Sequence, residues 1–385
     1  MPESPYLVID PARVRANYRT LATALATGRG EGTRIRYAVK AAPVAELITL
    51  LAAEGAEFDV ASIGEIDQCL ALGVDPERLC YGNPIKKSAH IARAFALGVR
   101  RYACDTEDDL ERIAEHAPGS EVEVRFLSSA PESRTPFGTK FGCAPAEALR
   151  LLVRARDLGL VVGGPYFHVG SQQLDPAAWR IGIEQAGEIV DALAAKDIHV
   201  HAVNVGGGLP ISYADAAPEL DAIAAAIGAA AARLLPATTG LIVEPGRALV
   251  GNAGTVHAEV VGVRFAPDGR RWVYLDIGRY NGMAETENEY IAYRFVTDRD
   301  GDPVDEAVVA GPTCDGDDVL YQRTKVLLPT TLRAGDRIQI LHTGAYTASY
   351  SSVSFNGFPP LTVHVSGAEP TRPAGSAGCH PLKRE

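Results

Sequence analysis

The sequence predicts an α/β fold, a (β/α)8 TIM-type barrel followed by a C-terminal all-β domain. Three observations support this prediction. Short β-branched runs alternate with helical segments from about residue 35 to residue 250. Most of these runs end on a polar residue or on glycine. After about residue 255 the long helical segments stop, and short strands separated by turn residues replace them.

The strand candidates of the barrel are "IRYAVK" (35–40), "EFDVAS" (57–62), "RLCYGN" (78–83), "RYACDT" (101–106), "EVEVRF" (121–126), "PYFHVGS" (165–171), "HAVNVGGG" (201–208) and "LIVEPGR" (241–247). Strands that alternate with helices indicate βα units and a parallel sheet. Eight such units in about 215 residues fit a closed barrel. The main alternative, a doubly wound sheet, usually has fewer strands.

Helical segments separate these strands. "VAELITLLAAEG" ends on a glycine, as helix C-termini often do, and "IGEIDQCLALGV" follows Ser62, a candidate N-cap. The later helix candidates are "SAHIARAFALGV", "TEDDLERIAEHA", "PAEALRLLVRARDLG", "DPAAWRIGIEQAGEIVDALAAK" and "PELDAIAAAIGAAAARLL".

The same patterns suggest four parts of the chain. Residues 1–30 form an N-terminal segment whose "SPYLVID" run is expected to join the β domain, and residues 31–255 form the barrel. Residues 256–366 are expected to form a sandwich-like or barrel-like β domain. Residues 367–385, which are rich in Pro, Gly and Ala, are expected to form a flexible tail.

Composition narrows the function classes. The formal net charge of -11 argues against nucleic-acid binding and against anionic membrane surfaces. No apolar run is long enough to cross a bilayer, and the N-terminus lacks the features of a signal peptide. The six cysteines include no CxxC pair, so we expect a reduced, cytoplasmic protein. The nine histidines show no metal-binding spacing, and we expect no metal site.

Polar side chains and glycines end the predicted strands, and in a barrel they would meet at one face, where barrel enzymes build their active sites. The alternative is that polar residues merely mark where strands end. The residues are Lys40, Asp59, Asn83, Asp105, Arg125, His168, Gly206 to Gly208, and Glu244.

Two of these features point to a cofactor. Lys40 is either a surface lysine past a strand end or an amine held for covalent chemistry with a carbonyl. The glycines of "NVGGGLP" (204–210) form either a tight turn or a phosphate site, and no GxGxxG dinucleotide fingerprint is present. The loops after strands seven and eight of a barrel often hold phosphate, and Arg247 of "EPGR" would add charge-assisted hydrogen bonds.

A cofactor with both an aldehyde and a phosphate is pyridoxal 5′-phosphate (PLP). Lys40 would form the Schiff base with it, and Glu244 would lie against the pyridine nitrogen and keep it protonated. His168 could stack on the ring, although a lone strand histidine is more often a packed core residue.

The order of motifs along the chain resembles that of PLP-dependent decarboxylases with an alanine-racemase-like (fold-type III) barrel, and bacterial ornithine/lysine decarboxylases most of all. The motifs that carry this resemblance are "YAVK" (37–40), "FDVAS" (58–62), "YGNPIKK" (81–87), "FHVGS" (167–171), "GGGLP" (206–210), "EPGR" (244–247), "GPTCDGDD" (311–318) and "GAYTASYSSVSFNGF" (344–358).

The resemblance implies a role for each matching position. Lys40, His168 and Glu244 would act on the cofactor, Asp59 and Glu65 would lie near Lys40, and Arg125 would contact the residues around the cofactor. The phosphate would be held by Ser171, Gly206, Gly207, Gly208, Gly246, Arg247 and Tyr346.

The resemblance also implies a homodimer with its active sites at the subunit interface. The "CDG" segment would come from the partner subunit. Cys314 would then return a proton after CO2 leaves, and Asp315 would bind the distal ammonium of a small basic amino acid.

The substrate is predicted less sharply. "CDGDD" favours a terminal amine, since similar diaminopimelate decarboxylases typically carry a Cys-Glu-Ser-type sequence there. "DIGRYNGMAETENEYIAYRF" (276–295) departs from the Tyr-Asp pair of eukaryotic ornithine decarboxylases. Glu289 would replace that aspartate, with Glu285 and Glu287 as alternatives. "YAVKAAP" also lacks the asparagine common two residues after the lysine.

The predicted activity is that of a carbon–carbon lyase. It would convert L-ornithine to putrescine and CO2, with lysine, giving cadaverine, as the next substrate and a modified ornithine or diaminopimelate as alternatives. Two other classes fit less well. A racemase needs a second base, usually tyrosine, in place of Cys314, and a non-catalytic regulator usually loses the lysine or the phosphate site.

Overall fold

The computed structural model describes residues 2–29 and 33–367. Its strands are β1 (Tyr6–Ile9), β2 (Thr33–Ala38), β3 (Glu57–Val60), β4 (Leu79–Tyr81), β5 (Arg101–Cys104), β6 (Glu121–Phe126), β7 (Val161–Phe167), β8 (Ala202–Asn204), β9 (Gly240–Val243), β10 (Gly254–Phe265), β11 (Arg271–Leu275), β12 (Arg294–Thr297), β13 (Val304–Ala310), β14 (Val319–Pro329), β15 (Arg337–Leu341) and β16 (Thr362–Val365). Its helices are α1 (Pro11–Arg29), α2 (Ala45–Ala53), α3 (Ile63–Ala71), α4 (Ser88–Ala96), α5 (Glu107–His116), α6 (Pro145–Asp157), α7 (Ala177–Ala194), α8 (Leu220–Leu234) and α9 (Arg247–Val250).

Strands β2 to β9 close into a barrel in chain order, and every neighbouring pair is parallel. The predicted (β/α)8 barrel is therefore confirmed. The helices between the strands cover the barrel with their apolar faces. Helix α7 packs closely on the barrel at Gly182, because a Cβ added there would lie 2.2 Å from the ring of Phe167 on β7. The predicted N-cap Ser62 caps α3, since its hydroxyl accepts the backbone N–H of Glu65.

The second domain is a mixed sheet in the order β12-β15-β10-β11-β13-β14. β1 pairs antiparallel with β10 and parallel with β16, so the N-terminal strand lies in this sheet and not in the barrel. The all-β domain is thus present, while the exact boundaries at residues 30, 255 and 366 stay predictions. The predicted tail from residue 368 onward lies outside the described residues.

The strand bounds correct the prediction at the functional face. Strand β2 ends at Ala38, so Lys40 lies in the single 3-10 turn Val39–Ala41 that follows it. His168 likewise comes one residue after β7 ends at Phe167. The glycine triplet starts two residues after the last residue of β8. These residues lie in the loops at the C-terminal face rather than in the strands.

Within the described part of the chain, no helix is long and apolar enough to cross a membrane. The same residues contain no cluster of three or more His, Cys, Asp or Glu that could hold a metal ion.

Candidate active site

Lys40 and Asp59 form an ion pair at the mouth of the barrel. Lys40 Nζ lies 2.8 Å from Asp59 Oδ2. Asp59 is buried at the end of β3, whereas 47% of the Lys40 side chain is accessible within the mouth. Burial lowers the pKa of Lys40, but the Asp59 carboxylate, together with Tyr346 and Tyr166, outweighs this effect, so the pKa is raised. A Cβ at Gly82 would lie 2.0 Å from Asp59 Oδ1, so the glycine after β4 makes room for this carboxylate.

Glu65 borders the same amine. Its Oε2 accepts the backbone N–H of Ala61 at 2.6 Å, next to the Ser62 cap at the start of α3. Burial raises the pKa of Glu65, and the nearby Asp59 adds to this, while Lys40 opposes it. The predicted placement of Glu65 near Lys40 is what the structure shows.

His168 is held in one neutral form. Its Nδ1 accepts the backbone N–H of Gly170 at 3.0 Å, so the neutral ring carries its proton on Nε2. Burial, and then the positive charges of Arg125 and Lys40, lower its pKa well below the usual range. The ring of Phe137 lies 4.7 Å from the His168 ring, measured between centroids. His168 is therefore a neutral N–H donor and a flat surface at physiological pH.

Arg125 is buried near the end of β6 and lies among aromatic rings. Its guanidinium carbon is 5.3 Å from the centroid of Tyr166, 5.5 Å from Phe141 and 5.9 Å from Phe137. Cation–π contacts of this kind position a guanidinium without neutralising it. Arg125 thus brings a positive charge close enough to His168 to lower its pKa.

The glycines after β8 and β9 form a cradle of backbone. Gly206 and Gly208 have φ angles of +67° and +89°, which favour glycine. A Cβ at Gly207 would lie 2.4 Å from the carbonyl oxygen of Glu244 and 3.2 Å from His168 Nε2. A Cβ at Gly246 would lie 2.9 Å from the Cβ of Ala41. Side chains at Gly207 and Gly246 would collide with neighbouring atoms of the protein, so these loops pack this closely only because the residues are glycine.

Arg247 lies beside this cradle. Its Nη2 donates to Ser171 Oγ at 3.1 Å, and its guanidinium carbon is 5.1 Å from the Tyr346 ring centroid. Its buried Nε has no hydrogen-bond partner. A buried donor without a partner is costly unless a ligand satisfies it. The predicted phosphate residues therefore lie together.

Sequence reasoning missed the carboxylate that binds Arg247. Glu285 accepts hydrogen bonds from Arg247 Nη2 at 2.5 Å and Nη1 at 2.7 Å, and Tyr213 Oη lies 2.5 Å from Nη1. Of the three acids considered between β11 and β12, Glu285 is the one that reaches the cradle. Glu287 pairs with Arg279 at 3.3 Å and is mostly exposed.

Glu289 has a different position from the one predicted. Its carboxylate accepts the backbone N–H groups of Gln322, Arg323 and Thr324 on β14. Burial raises the pKa of Glu289, but these hydrogen bonds lower it by more, so the pKa falls to about 2. Because both oxygens are used to hold a strand, the structure lends no support to Glu289 as a substrate ligand.

A buried polar network forms the floor of the site, and it was also missed. Arg36 Nη1 donates to Glu244 Oε1 at 3.1 Å, and its Nη1 and Nη2 donate to Glu123 at 3.1 and 2.9 Å. Asn204 Nδ2 donates to Glu123 at 2.6 Å and to Glu244 Oε1 at 2.7 Å. Asn204 Oδ1 accepts the N–H of Gly206, which links the floor to the glycine cradle.

Burial raises the pKa of Glu244 to about 7, and Asp59 and Glu123 add to this, while Arg36 opposes it. The charged and titratable groups that face Glu244 come from five strands: Arg36, Asp59, Cys80, Glu123 and Tyr166.

Cys314 and Asp315 lie in the loop between β13 and β14. The Cys314 N–H and Sγ both contact Asn356 Oδ1, at 3.1 and 3.4 Å, and Cys314 is exposed. Asp315 Oδ1 accepts the N–H of Asp317. Among the described residues, no hydrogen bond, ion pair or ring contact joins Cys314 or Asp315 to Lys40, His168 or Glu244. A single chain therefore assembles the first group of predicted residues but leaves these two outside it.

The comparisons with known proteins agree with this arrangement. Residues 12–251 match the family model described as "Pyridoxal-dependent decarboxylase, pyridoxal binding domain". The chain is 33% identical over 356 residues to a lysine/ornithine decarboxylase of Selenomonas ruminantium, covering 92% of this chain and 88% of that protein.

Solved structures have the same architecture. A lysine/ornithine decarboxylase of Vibrio vulnificus complexed with cadaverine superposes with a TM-score of 0.85 at 30% identity, covering 95% of each chain. An arginine decarboxylase of Paramecium bursaria Chlorella virus bound to agmatine gives a TM-score of 0.86 at 25% identity, covering 95% of this chain and 98% of that one.

Proposed function

This chain belongs to the family of pyridoxal-dependent decarboxylases, and we propose that among basic amino acids it acts on L-ornithine first and on lysine second. One observation carries the catalytic part of the proposal. One barrel mouth is surrounded by Lys40, neutral His168, Glu244 and the hydrogen-bond donors around the glycine cradle. These are the groups that an aldehyde, a flat ring, a ring nitrogen and a phosphate require.

The residues present fit PLP. The backbone N–H groups of Gly207 and Gly208 would donate to a phosphate, as would the unpartnered Nε of Arg247. The floor holds two carboxylates, Glu123 and Glu244, against one guanidinium, Arg36. It therefore lacks one positive charge, and a protonated ring nitrogen would supply it. When bound, PLP accepts the electron pair that remains on the substrate as CO2 departs.

The residues of the chain have separate tasks in this proposal. Asp59 positions the Lys40 amine, which would hold the cofactor covalently. His168 offers its ring face and the proton on Nε2, and Arg125 helps to keep that ring neutral. Glu244 would hold the ring nitrogen in its protonated form. Arg247, Ser171 and Tyr346 would hold the phosphate.

Cys314 and Asp315 would complete the site from the partner subunit of a homodimer. Three apolar side chains that precede Asn356, the residue that Cys314 contacts, are exposed in the single chain: Tyr350 at 54%, Val353 at 77% and Phe355 at 39%. Exposed apolar groups of this size mark a contact surface, and a second copy of the chain is the partner we propose. Cys314 Sγ would return a proton to the substrate carbon, and Asp315 would bind the terminal ammonium.

The acids of the "CDGDD" loop support a substrate that ends in an amine. The side chains of Asp315 and Asp317 are both exposed there, and both contribute to the raised pKa of Tyr280, after burial. Asp318 is buried and holds the loop through the N–H groups of Arg279 and Thr313. The loop therefore presents negative charge in a fixed frame, which suits a distal ammonium rather than a distal carboxylate.

The test is product analysis with ornithine, lysine, arginine and diaminopimelate as a substrate panel, combined with CO2 release. We expect putrescine at the highest kcat/KM, cadaverine next, and no product from the Lys40→Ala variant. The Glu188→Gln variant, an exposed change on α7, serves as the matched control. CO2 from diaminopimelate alone, or racemisation without CO2, would contradict the proposal.

A further inference from the structure

The buried network beneath Glu244 is larger than the cofactor contact alone requires. Arg36 is completely buried, Glu123 and Asn204 nearly so, and all three point into the barrel interior toward one another. Ionised groups in a barrel interior are costly, and replacing them with apolar residues of similar volume is often neutral or stabilising. Stability alone therefore does not explain this network, and the cofactor contact of Glu244 is the place to look for its role.

The hydrogen bonds of Glu244 are one-sided. Arg36 Nη1 and Asn204 Nδ2 both donate to Oε1, at 3.1 and 2.7 Å. No hydrogen bond to Oε2 is present in the described part of the chain. The carboxylate is thus fixed through Oε1, and Oε2 is left free to accept a hydrogen bond from a ligand.

Arg36 is itself fixed by Glu123. The two guanidinium nitrogens Nη1 and Nη2 reach both carboxylate oxygens of Glu123, at 3.1 and 2.9 Å. Such a fork leaves a guanidinium little freedom to rotate. Glu123, which lies two strand positions before Arg125, therefore sets the direction in which Arg36 presents Nη1 to Glu244.

We propose that Arg36 is a positioning residue for the cofactor. Glu123 holds Arg36 in place, and Arg36 in turn fixes the Glu244 carboxylate so that its Oε2 faces the ring nitrogen. This inference rests on the proposed placement of the PLP ring against Glu244. It adds Arg36 and Glu123 to the functional residues although neither touches the cofactor. Arg36 supplies the opposing charge that favours the ionised form of Glu244 over the neutral acid.

The test compares two ligands that differ at one atom. Cofactor-free protein is titrated with PLP and with its carbon analogue, in which C–H replaces the ring nitrogen. The ratio of the two dissociation constants reports the contact between Glu244 and the ring nitrogen and needs no turnover. We expect the wild-type protein to bind PLP at least about tenfold more tightly than the analogue. We expect Arg36→Met to bring the ratio close to that of Glu244→Gln.

Two further variants protect the test against misfolding. Arg36→Met leaves Glu123 buried without its partner, so we also use Arg36→Met combined with Glu123→Leu, which removes both charges. We expect this double variant to melt near the wild-type temperature and still to lose the preference for PLP over its carbon analogue. Arg36→Lys, which keeps the charge, is expected to recover part of it.

The outcomes are distinct. An unchanged ratio in a folded Arg36 variant, with both ligands weakened equally, would overturn the inference and leave the proposed decarboxylation intact. A lost ratio in a protein that releases no CO2 from any basic amino acid would support the inference while the proposed function fails. The Glu188→Gln control should match the wild-type ratio in either case.

Discussion

The protonation of Glu244 makes the stability of the cofactor-free protein depend on pH. Its pKa is raised from 4.5 to about 7 in the folded chain. Because the folded state holds this proton more tightly than the unfolded state, folding is penalised as pH rises from 4.5 to 7, and the penalty is complete above 7. A shift of this size corresponds to about 3 kcal/mol, since each pKa unit is worth about 1.4 kcal/mol.

The Glu244→Gln variant removes this titration. Equilibrium unfolding in urea at about pH 5 and about pH 8 would measure it, at one protein concentration and without cofactor. Other effects of the substitution do not change with pH and cancel in the comparison. We expect the variant to gain about 2–3 kcal/mol relative to wild type between the two pH values. Added PLP should reduce this gain, because a protonated ring nitrogen would offset the carboxylate charge.

Glu188→Gln is the control and should give equal differences at both pH values. The reasoning is refuted if wild type and Glu244→Gln show the same dependence of the unfolding free energy on pH. That result would mean that Glu244 titrates near its ordinary pKa, and the floor of the site would then not lack a positive charge.

Three other changes have expected outcomes. Gly207→Ala places a Cβ 2.4 Å from the carbonyl oxygen of Glu244, so the glycine cradle must move. We expect the Kd for PLP, measured by fluorescence titration, to rise at least about tenfold. An unchanged Kd would contradict the proposal that the cradle binds the phosphate. Glu289→Gln should lower the free energy of unfolding by about 1–2 kcal/mol at neutral pH, reduced for solvent screening. The difference should shrink as pH falls from 4.5 toward 2, because the folded-state pKa is lowered; a constant difference across urea titrations would refute this. Mixing inactive Lys40→Ala and Cys314→Ala proteins should restore CO2 release to about a quarter of wild type if random dimers share sites, whereas no recovery would place Cys314 within its own subunit's site.

The barrel could be predicted because each strand has a short apolar core and the strands alternate regularly with helices. The contents of its mouth could be predicted for a related reason. In a parallel barrel the residues after every strand meet at one face, so the sequence order alone brings Lys40, Asp59, His168 and Glu244 together. The predicted strand ends at Lys40, after His168 and at the glycine triplet lie two to four residues beyond the observed ones, because the run continues after pairing has stopped.

The floor network carried a sequence signal that was not used. Arg36 lies inside the first predicted strand, and Glu121, Glu123 and Arg125 alternate inside the fifth. Alternate positions of a strand share one face, and inside a narrow barrel that face is buried, so unlike charges there must pair. What the sequence could not show is which carboxylate receives Arg36, because that depends on packing across the barrel.

Contacts made by loops were beyond sequence reasoning. Glu285 reaches Arg247 and Glu289 holds β14 because the segment between β11 and β12 folds back in two short turns, with Asn288 and Glu289 at positive φ. Periodicity carries no information about such turns. The positions of Cys314 and Asp315 relative to Lys40 also depend on a second subunit in the proposed dimer, and no pattern within one chain measures that.

A crystal structure of the PLP-loaded protein tests the central claim most directly. We expect electron density that links the cofactor to Lys40 Nζ, with the ring nitrogen within hydrogen-bond distance of Glu244 and the phosphate against the glycine cradle. A cofactor attached to another amine, or a ring nitrogen that faces a group other than Glu244, would contradict the account.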